Sequence, residues 1–290
     1  MTARRSWADL PEQARAAIQE QVGAVTDVWS AAAGLTCGIA ARISTAEGAV
    51  FFVKAAPAAA PVANHLLRER AANQALPASL PAPRLRWTAD VADWHVLLFE
   101  HAPGRPADLA PGSPDLPAVL DAVTAISVPC PWPAPPVAGK IRGLLRVAEE
   151  LLTDSPAELS HYEPLIKSLN LDEFVGGMLL HADLHKDNLL VDSGRARIVD
   201  WSMACSGAAW LDVALLIPRL IDAGHTPAEA EQVAARVPAW GSAPADATTA
   251  LAAARALFAV RMGQIGPPHL RAQRERTAAA CRAWVEYRTS

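Results

Sequence analysis

The pattern of hydrophobic residues changes near residue 101, and this change constrains the fold more than any other feature of the chain. Helical spacing of apolar residues predicts a first helix over 11–22 and a second over 65–75. Runs rich in β-branched and aromatic residues predict five strands, at 25–29, 39–44, 50–54, 85–88 and 94–100. The order βββαββ after the first helix predicts a small antiparallel sheet that carries one helix.

A Pro/Gly-rich segment, APGRPADLAPGSPD, follows His101 and marks a boundary. Beyond it helical patterns dominate, near 115–127, 138–152, 158–169, 210–223, 226–236, 247–264 and 268–287. We therefore expect an α+β fold of two lobes. The N-terminal lobe covers residues 1–101, and a larger, mostly helical C-terminal lobe covers residues 102–290.

Composition excludes several classes of protein. A net charge of −4 and a charged fraction of 19% give no basic field that would hold nucleic acid. The N-terminus has no apolar stretch behind its two arginines, and no segment approaches the ~20 apolar residues of a membrane span. We expect a cytoplasmic protein without nucleic acid or membrane partners.

The cysteines carry no metal-site or disulfide signature. Cys37, Cys130, Cys205 and Cys281 lie far apart and form no C-x-x-C pair. We interpret them as small buried hydrophobic residues.

The stretch LHADLHKDNLLV, at 180–191, places charged residues inside an apolar run. His181, Asp183 and Asn188 have the spacing H-x-D-x-x-x-x-N, and the later run RIVDWS adds Asp200 at a strand end. Phosphoryl transfer needs a carboxylate near the attacking hydroxyl and hard oxygen ligands for Mg²⁺. Asp183 can accept the proton, Asn188 can offer its side-chain oxygen to a metal, and Asp200 can bridge metal and phosphate. The alternative is a polar surface loop with a turn at 187–188.

Lys54 and Glu69 form a second candidate pair. Lys54 ends the third strand in FFVKA, where a kinase-type sheet points a lysine at the α- and β-phosphates of a nucleotide. Glu69 lies fifteen residues later in the helix, where it can orient Lys54. Either residue alone is more often a solvated surface charge, but their order relative to the two later segments favours a common site.

These segments together resemble the aminoglycoside phosphotransferase family, whose fold is similar to that of protein kinases. The resemblance runs from about Trp29 to the last helix and is most specific in LLHADLHKDNLLV and IVDW. It implies a bilobal protein-kinase-like fold with a nucleotide-binding N-terminal lobe and a C-terminal lobe for catalysis and substrate binding. It implies that Asp183 is the catalytic base, that Asn188 and Asp200 bind Mg²⁺, and that Lys54 with Glu69 anchors the phosphates.

The same resemblance implies how a nucleotide is held. The loop AAAGLTCGIA takes the place of the nucleotide-positioning loop, with Gly34, Thr36 and Gly38 over the phosphates. Residues 99–102 take the place of the hinge, where backbone groups of Glu100 and Ala102 can read a purine edge.

Some residues depart from the pattern of protein kinases. The loop lacks a full G-x-G-x-x-G, Asp200 is followed by Trp-Ser, and no A-P-E run follows, which argues against a phosphorylated activation loop. Lys186 either forms a surface ion pair with Asp187 or approaches the transferred phosphoryl group. We interpret His181 as a buried brace of the loop, and Asp212 as a helix cap or brace.

We therefore expect a kinase that moves the γ-phosphoryl group of ATP or GTP to a hydroxyl of an antibiotic or related natural product. The alternatives are a metabolic kinase for a sugar, amino alcohol or nucleoside, and a nucleotide-binding pseudokinase.

Residues 203–290 contain seven acids and nine arginines. Because polycationic acceptors need several carboxylates, this count favours an acceptor with at most one or two positive charges.

Overall fold

The computed structural model describes residues 5–30 and 38–290 of the chain. They form two compact units. The first comprises Met1–Arg105 with Arg197–Ala204, and the second Pro106–Ala196 with Cys205–Ser290. Residues 102–105 and 197–204 thus lie with the first unit. The division at residues 101 and 102, with a function for each lobe, stays a prediction.

The first unit is built on a five-stranded antiparallel sheet in the order β1-β2-β3-β5-β4. Its helices and strands are α1 (Glu12–Val22), β1 (Val25–Ser30), β2 (Ile39–Thr45), β3 (Val50–Pro57), α2 (Ala63–Ala75), β4 (Leu85–Val91) and β5 (Trp94–Glu100). The predicted strands, the meander of the first three and the helix after them are confirmed.

Alternation along the strands gives the sheet two apolar faces. Val53 and Val96 lie in one core with Ala14 and Ile18 of α1. Leu97 lies in a second core with Val62 and with Leu66 of α2. The prediction of one helix on the sheet was therefore incomplete, because α1 also buries its apolar stripe on it.

The turn between β4 and β5 is shorter than its sequence suggests. The prediction ended β4 at Thr88, but the strand continues to Val91. Ala92 and Asp93 make the turn, with φ of 49° and 60°. Two consecutive left-handed residues match the twist of a two-residue hairpin loop. Residues 89–91, which the prediction left outside the strand, therefore belong to β4.

The second unit is mostly helical, as predicted. Its helices are α3 (Leu116–Ala125), α4 (Ala138–Asp154), α5 (Pro156–Leu159), α6 (Glu163–Ser168), α7 (Leu211–Asp222), α8 (Pro227–Ala234), α9 (Ala245–Ile265) and α10 (Arg271–Thr289). The short strands that follow the first sheet are β6 (Arg105–Pro106), β7 (Met178–Leu180), β8 (Leu189–Asp192), β9 (Arg195–Ile198) and β10 (Cys205–Gly207). Most of the buried residues of α9 are alanines, and this helix packs along α10.

The continuous helix predicted over 158–169 is wrong. The chain forms α5, a 3₁₀ turn over Ser160–Tyr162 and then α6. Pro164 stands in the first turn of α6. Proline fits a first turn but disrupts a helix interior, so Pro164 starts a new helix instead of continuing one.

The cysteines follow the prediction in part. Cys205 and Cys281 are buried free thiols, whereas Cys130 is half-exposed, contrary to the prediction. Cys37 lies outside the described residues. Within the described ranges, no helix combines the length and the apolar composition needed to cross a membrane.

Candidate active site

The pleat of β3 determines where Lys54 points. Val53 and Ala55 face the core that contains α1, so Lys54 between them projects to the face that carries α2. Glu69 lies on α2 and is only 3% exposed. The Lys54 ammonium donates to both oxygens of Glu69, at 2.7 and 2.8 Å. The structure thus brings together the pair that the sequence suggested.

Asp200 joins this pair from the segment after β9. Its Oδ1 lies 3.2 Å from Lys54 Nζ, and its side chain is 43% exposed. Asp200 has a left-handed backbone, with φ of 64°, an uncommon conformation that functional sites often retain. A 3₁₀ turn, Trp201–Met203, follows and packs against α2. Lys54, Glu69 and Asp200 are called the anchoring cluster below.

The anchoring cluster holds two acids and one base in a largely buried place. Burial raises the pKa of Glu69 to about 7, although Lys54 and the backbone N–H of Trp201 act in the opposite direction. Burial alone would lower the pKa of Lys54, but Glu69 and Asp200 outweigh it and the pKa is raised. Lys54 therefore stays charged.

In the second unit, Asp212 braces the loop of the H-x-D-x-x-x-x-N motif. Its carboxylate accepts from the backbone N–H of His181 at 2.7 Å and of Ala182 at 2.8 Å. Ala182 is left-handed, with φ of 63°. Burial raises the pKa of Asp212, while His181 and these two backbone bonds oppose the change. The interpretation of Asp212 as a brace is confirmed.

His181 and Asn188 fix the loop from within. His181 is fully buried, and its Nδ1 accepts from the backbone N–H of Asp183 at 3.3 Å. Asn188 is buried, and its Nδ2 donates to the backbone carbonyl of Asp183 at 3.0 Å. This bond orients the amide and leaves Oδ1 of Asn188 for another partner. The side chain of Asp183 stays 43% exposed, so its carboxylate can meet a substrate.

His185 adjoins Asp183, a contact that the sequence reasoning did not foresee. Its Nε2 lies 3.7 Å from Oδ2 of Asp183, and its Nδ1 lies 3.6 Å from Oδ2 of Asp187. Burial lowers the pKa of His185, with Asp183 opposing. His185 is therefore neutral near pH 7. Lys186 is exposed and makes no ion pair with any described residue, so the surface pair with Asp187 is not formed.

Each unit offers a donor atom of a type that suits a magnesium ion bound to phosphate. No group of three or more His, Cys, Asp or Glu side chains in the described part of the chain could hold a metal by itself. Mg²⁺ typically takes one or two carboxylates and completes its shell with water and substrate phosphates. Asp200 and the Oδ1 of Asn188 are hard oxygen donors of this type.

The segments predicted to hold the nucleotide are described in part. Gly34 and Thr36 lie outside the described residues. Gly38 comes just before β2 and lies close to β3. A Cβ at this position would be 2.9 Å from the carbonyl oxygen of Ala55, which explains the glycine. The backbone N–H of Glu100 donates to Arg84 at 2.8 Å, and its side chain pairs with Arg86. Ala102 follows β5 and is half-exposed.

Three arginines were missed, and two of them, Arg219 and Arg274, lie near Asp183. Arg219, Arg255 and Arg274 come from α7, α9 and α10. Asp183 raises the pKa of Arg219 and Arg274, although burial and Arg255 outweigh it and lower both values. No local sequence motif predicts this group of arginines, because each lies on a different helix. The only signal in the sequence was the excess of arginine over acid in the last helices.

The fold is protein-kinase-like, with an antiparallel sheet in the first unit and a mostly helical second unit. The family model described as phosphotransferase enzyme family matches residues 40–257. The chain belongs to this family, and the resemblance to aminoglycoside phosphotransferases is confirmed. It is therefore an enzyme, a phosphotransferase with an alcohol group as acceptor.

Several solved structures share the fold at low identity. Choline kinase LicA from Streptococcus pneumoniae is 16% identical over 93% of this chain and 99% of that one, with a TM-score of 0.63. Macrolide 2'-phosphotransferase MphH from Brachybacterium faecium is 19% identical over 92% and 97%, with a TM-score of 0.53. A thermostable mutant of aminoglycoside phosphotransferase APH(4)-Ia, in a complex with ADP and hygromycin B, is 17% identical over 92% and 97%, with a TM-score of 0.59. No curated protein sequence matches the chain significantly.

Proposed function

We propose that the enzyme transfers the γ-phosphoryl group of ATP or GTP to a hydroxyl of an antibiotic or related natural product. The acceptor oxygen attacks the γ-phosphorus, and the bond from this phosphorus to the β–γ bridging oxygen breaks. The nucleoside diphosphate leaves with that oxygen, and the acceptor proton passes to a carboxylate. The observation that carries the proposal is the anchoring cluster, which holds a charged lysine against two acids.

In the first unit, Lys54 would bind the α- and β-phosphates while Glu69 holds it in place. Asp200 would be a Mg²⁺ ligand, since its carboxylate is the exposed member of the cluster. A bound Mg²⁺ would neutralise the charge that develops on the phosphate oxygens.

In the second unit, Asp183 would accept the proton of the acceptor hydroxyl. Its carboxylate is half-exposed while its backbone is bound by His181 and Asn188, which is how a positioned base is held. Asn188 would offer Oδ1 to Mg²⁺, since its Nδ2 is already bonded. All five residues needed for transfer are present, which argues against a pseudokinase.

The nucleotide would lie under the loop that contains Gly34, Thr36 and Gly38. The Thr36 hydroxyl and nearby backbone N–H groups would donate to the phosphates. A purine edge would meet backbone groups of Glu100 and Ala102. Since the N–H of Glu100 already donates to Arg84, only its carbonyl can take this role.

A metabolic kinase is the second candidate. The similarity in fold to a choline kinase favours it, because that protein's name specifies a small amino alcohol. Screening hydroxylated antibiotics against sugars, amino alcohols and nucleosides for acceptor-dependent nucleotide consumption would separate the two. Turnover with a metabolite and none with any antibiotic would favour the metabolic enzyme.

Asp200→Ala tests the proposal. We expect loss of Mg²⁺-dependent transfer and weaker nucleotide binding in Mg²⁺, because the ion loses an anionic ligand beside the triphosphate. Asp93→Ala is the matched control, since Asp93 is an exposed aspartate of the same unit with a similar φ, 60° against 64°. Magnesium titrations that give the same curve for wild type and both variants would contradict the role of Asp200.

A further inference from the structure

Three positively charged side chains from different helices lie near one another. They are called the arginine cluster below and belong to Arg219, Arg255 and Arg274. Arg255 lowers the pKa of both other arginines, which is the effect of a like charge nearby. Nη1 of Arg219 donates to Thr277 Oγ1 at 3.1 Å, and Arg255 bonds the buried thiol of Cys281. The cluster is thus fixed in position by neutral groups.

The cluster has no carboxylate partner within the described residues. None of its members makes an ion pair at 4.0 Å or less, and the buried Nε atoms of Arg219 and Arg255 have no hydrogen-bond acceptor. Other arginines of the same helices do have acids: Arg261 pairs with Asp154 at 3.0 Å, and Arg276 pairs with Asp222 at 3.2 Å. All three arginines are half-buried, and taking a cation out of water without an anion beside it costs free energy, so this arrangement requires an explanation.

Packing alone does not provide that explanation. The Arg274 guanidinium lies 5.9 Å from the centre of the Phe258 ring, and the stems of such residues do cover apolar surface. Methionine or leucine would pack as well without the cost of burying charge. Only two carboxylates, those of Asp183 and Asp222, act on Arg219, and Asp222 already pairs with Arg276, so three arginines exceed the negative charge that can balance them. The surplus positive charge therefore has a function beyond packing.

We propose that the arginine cluster is an anion-binding subsite beside Asp183, and that the acceptor is a hydroxylated compound that also carries a carboxylate or another oxyanion. Guanidinium groups bind planar carboxylates and phosphate oxygens through paired N–H donors. An acceptor held in this way would present its hydroxyl to Asp183. The inference rests on the proposed function, since it takes Asp183 as the group that meets the acceptor hydroxyl.

The inference is tested by binding, without transfer. The anionic probes are each compared with a neutral counterpart: glycerate with glycerol, and both glucuronate and glucose 6-phosphate with glucose. Choline is the cationic control, and chloride at equal ionic strength is the control for salt. We expect Tm to rise only with the anionic members. Glucuronate and glucose 6-phosphate distinguish a carboxylate from a phosphate ester. If no anion raises Tm above the chloride control, the proposal is wrong.

Variants connect the binding to the cluster. Arg255→Met and Arg274→Gln should weaken anion binding by about tenfold or more, since each removes a charged hydrogen-bond donor. Arg255→Met should also raise Tm without any probe, because a half-buried charge disappears. Arg276→Gln, the control on α10, removes an exposed arginine that has an acid partner and should bind anions like wild type. Equal effects of Arg274→Gln and Arg276→Gln would contradict the proposal.

The two proposals fail in different ways. If anions bind through the cluster but no acceptor is phosphorylated, the proposed function is wrong and the subsite remains. If a neutral or cationic acceptor is phosphorylated and Arg274→Gln leaves its kcat/KM unchanged, the enzyme is a kinase but the cluster does not bind its acceptor.

Discussion

Replacing Lys54 by methionine should destabilise the protein in a manner that depends on pH. Lys54→Met removes the ammonium that donates two hydrogen bonds to Glu69, a carboxyl that is only 3% exposed. Removing one partner of a buried ion pair costs about 3–5 kcal/mol when the other partner stays charged. A carboxyl can avoid this cost by keeping its proton, so the penalty should depend on whether the pH permits protonation.

The pKa of Glu69 gives the sign and the size of the effect. In the wild type it is raised from 4.5 to about 7, so the folded state binds more protons than the unfolded chain, and stability falls as the pH rises through this window. Without Lys54 the pKa of Glu69 rises further, and the decline continues above pH 7. Between pH 7 and about pH 8.5 the variant should lose about 1.5 kcal/mol more than the wild type, which still titrates at the lower end of this range, at ~1.4 kcal/mol per pH unit.

Urea unfolding followed by tryptophan fluorescence measures this difference, since Trp201 is buried beside Glu69. Adding Glu69→Gln to Lys54→Met removes the titrating carboxyl and should abolish the extra pH dependence. Lys167→Met, which breaks an exposed pair with Glu163, is a control with an expected loss below about 1 kcal/mol at either pH. If Lys54→Met destabilises equally at about pH 5.5 and about pH 8.5, Glu69 is not the group that titrates, and the reasoning fails.

Two further predictions concern the loop of the second unit. Asp183→Asn should lower kcat by ~10² to 10⁴-fold and leave nucleotide affinity nearly unchanged, because only a base is removed. Steady-state kinetics measure this effect, and a variant that retains more than about a tenth of the wild-type kcat would show that Asp183 is not an essential base. Asp212→Asn should lower the free energy of unfolding by about 1–3 kcal/mol, because one amide oxygen cannot accept from both His181 and Ala182 as the carboxylate does. Urea unfolding checks this value, and an unchanged midpoint would show that the loop does not depend on the brace.

Local patterns predicted much of this protein from its sequence. The succession of strands and helices along the first unit follows from alternation and turn residues, and so do the positions of Lys54 on β3 and Glu69 on α2, whereas the pairing of β3 with β5 was not predicted. The spacing H-x-D-x-x-x-x-N likewise marked Asp183 and Asn188 without any structure. Pro164 was a local signal as well, and its neglect produced the wrong helix over 158–169.

Only the tertiary structure decided which distant residues meet. Asp212 binds a loop about thirty residues away, and Arg219, Arg255 and Arg274 gather from three helices although nothing in their local sequence sets them apart from neighbouring arginines. Hydrophobic periodicity specifies which face of a helix is buried, but not which helix it packs against. Whether an arginine finds an acid partner depends on that packing, and so does the proposed anion-binding subsite.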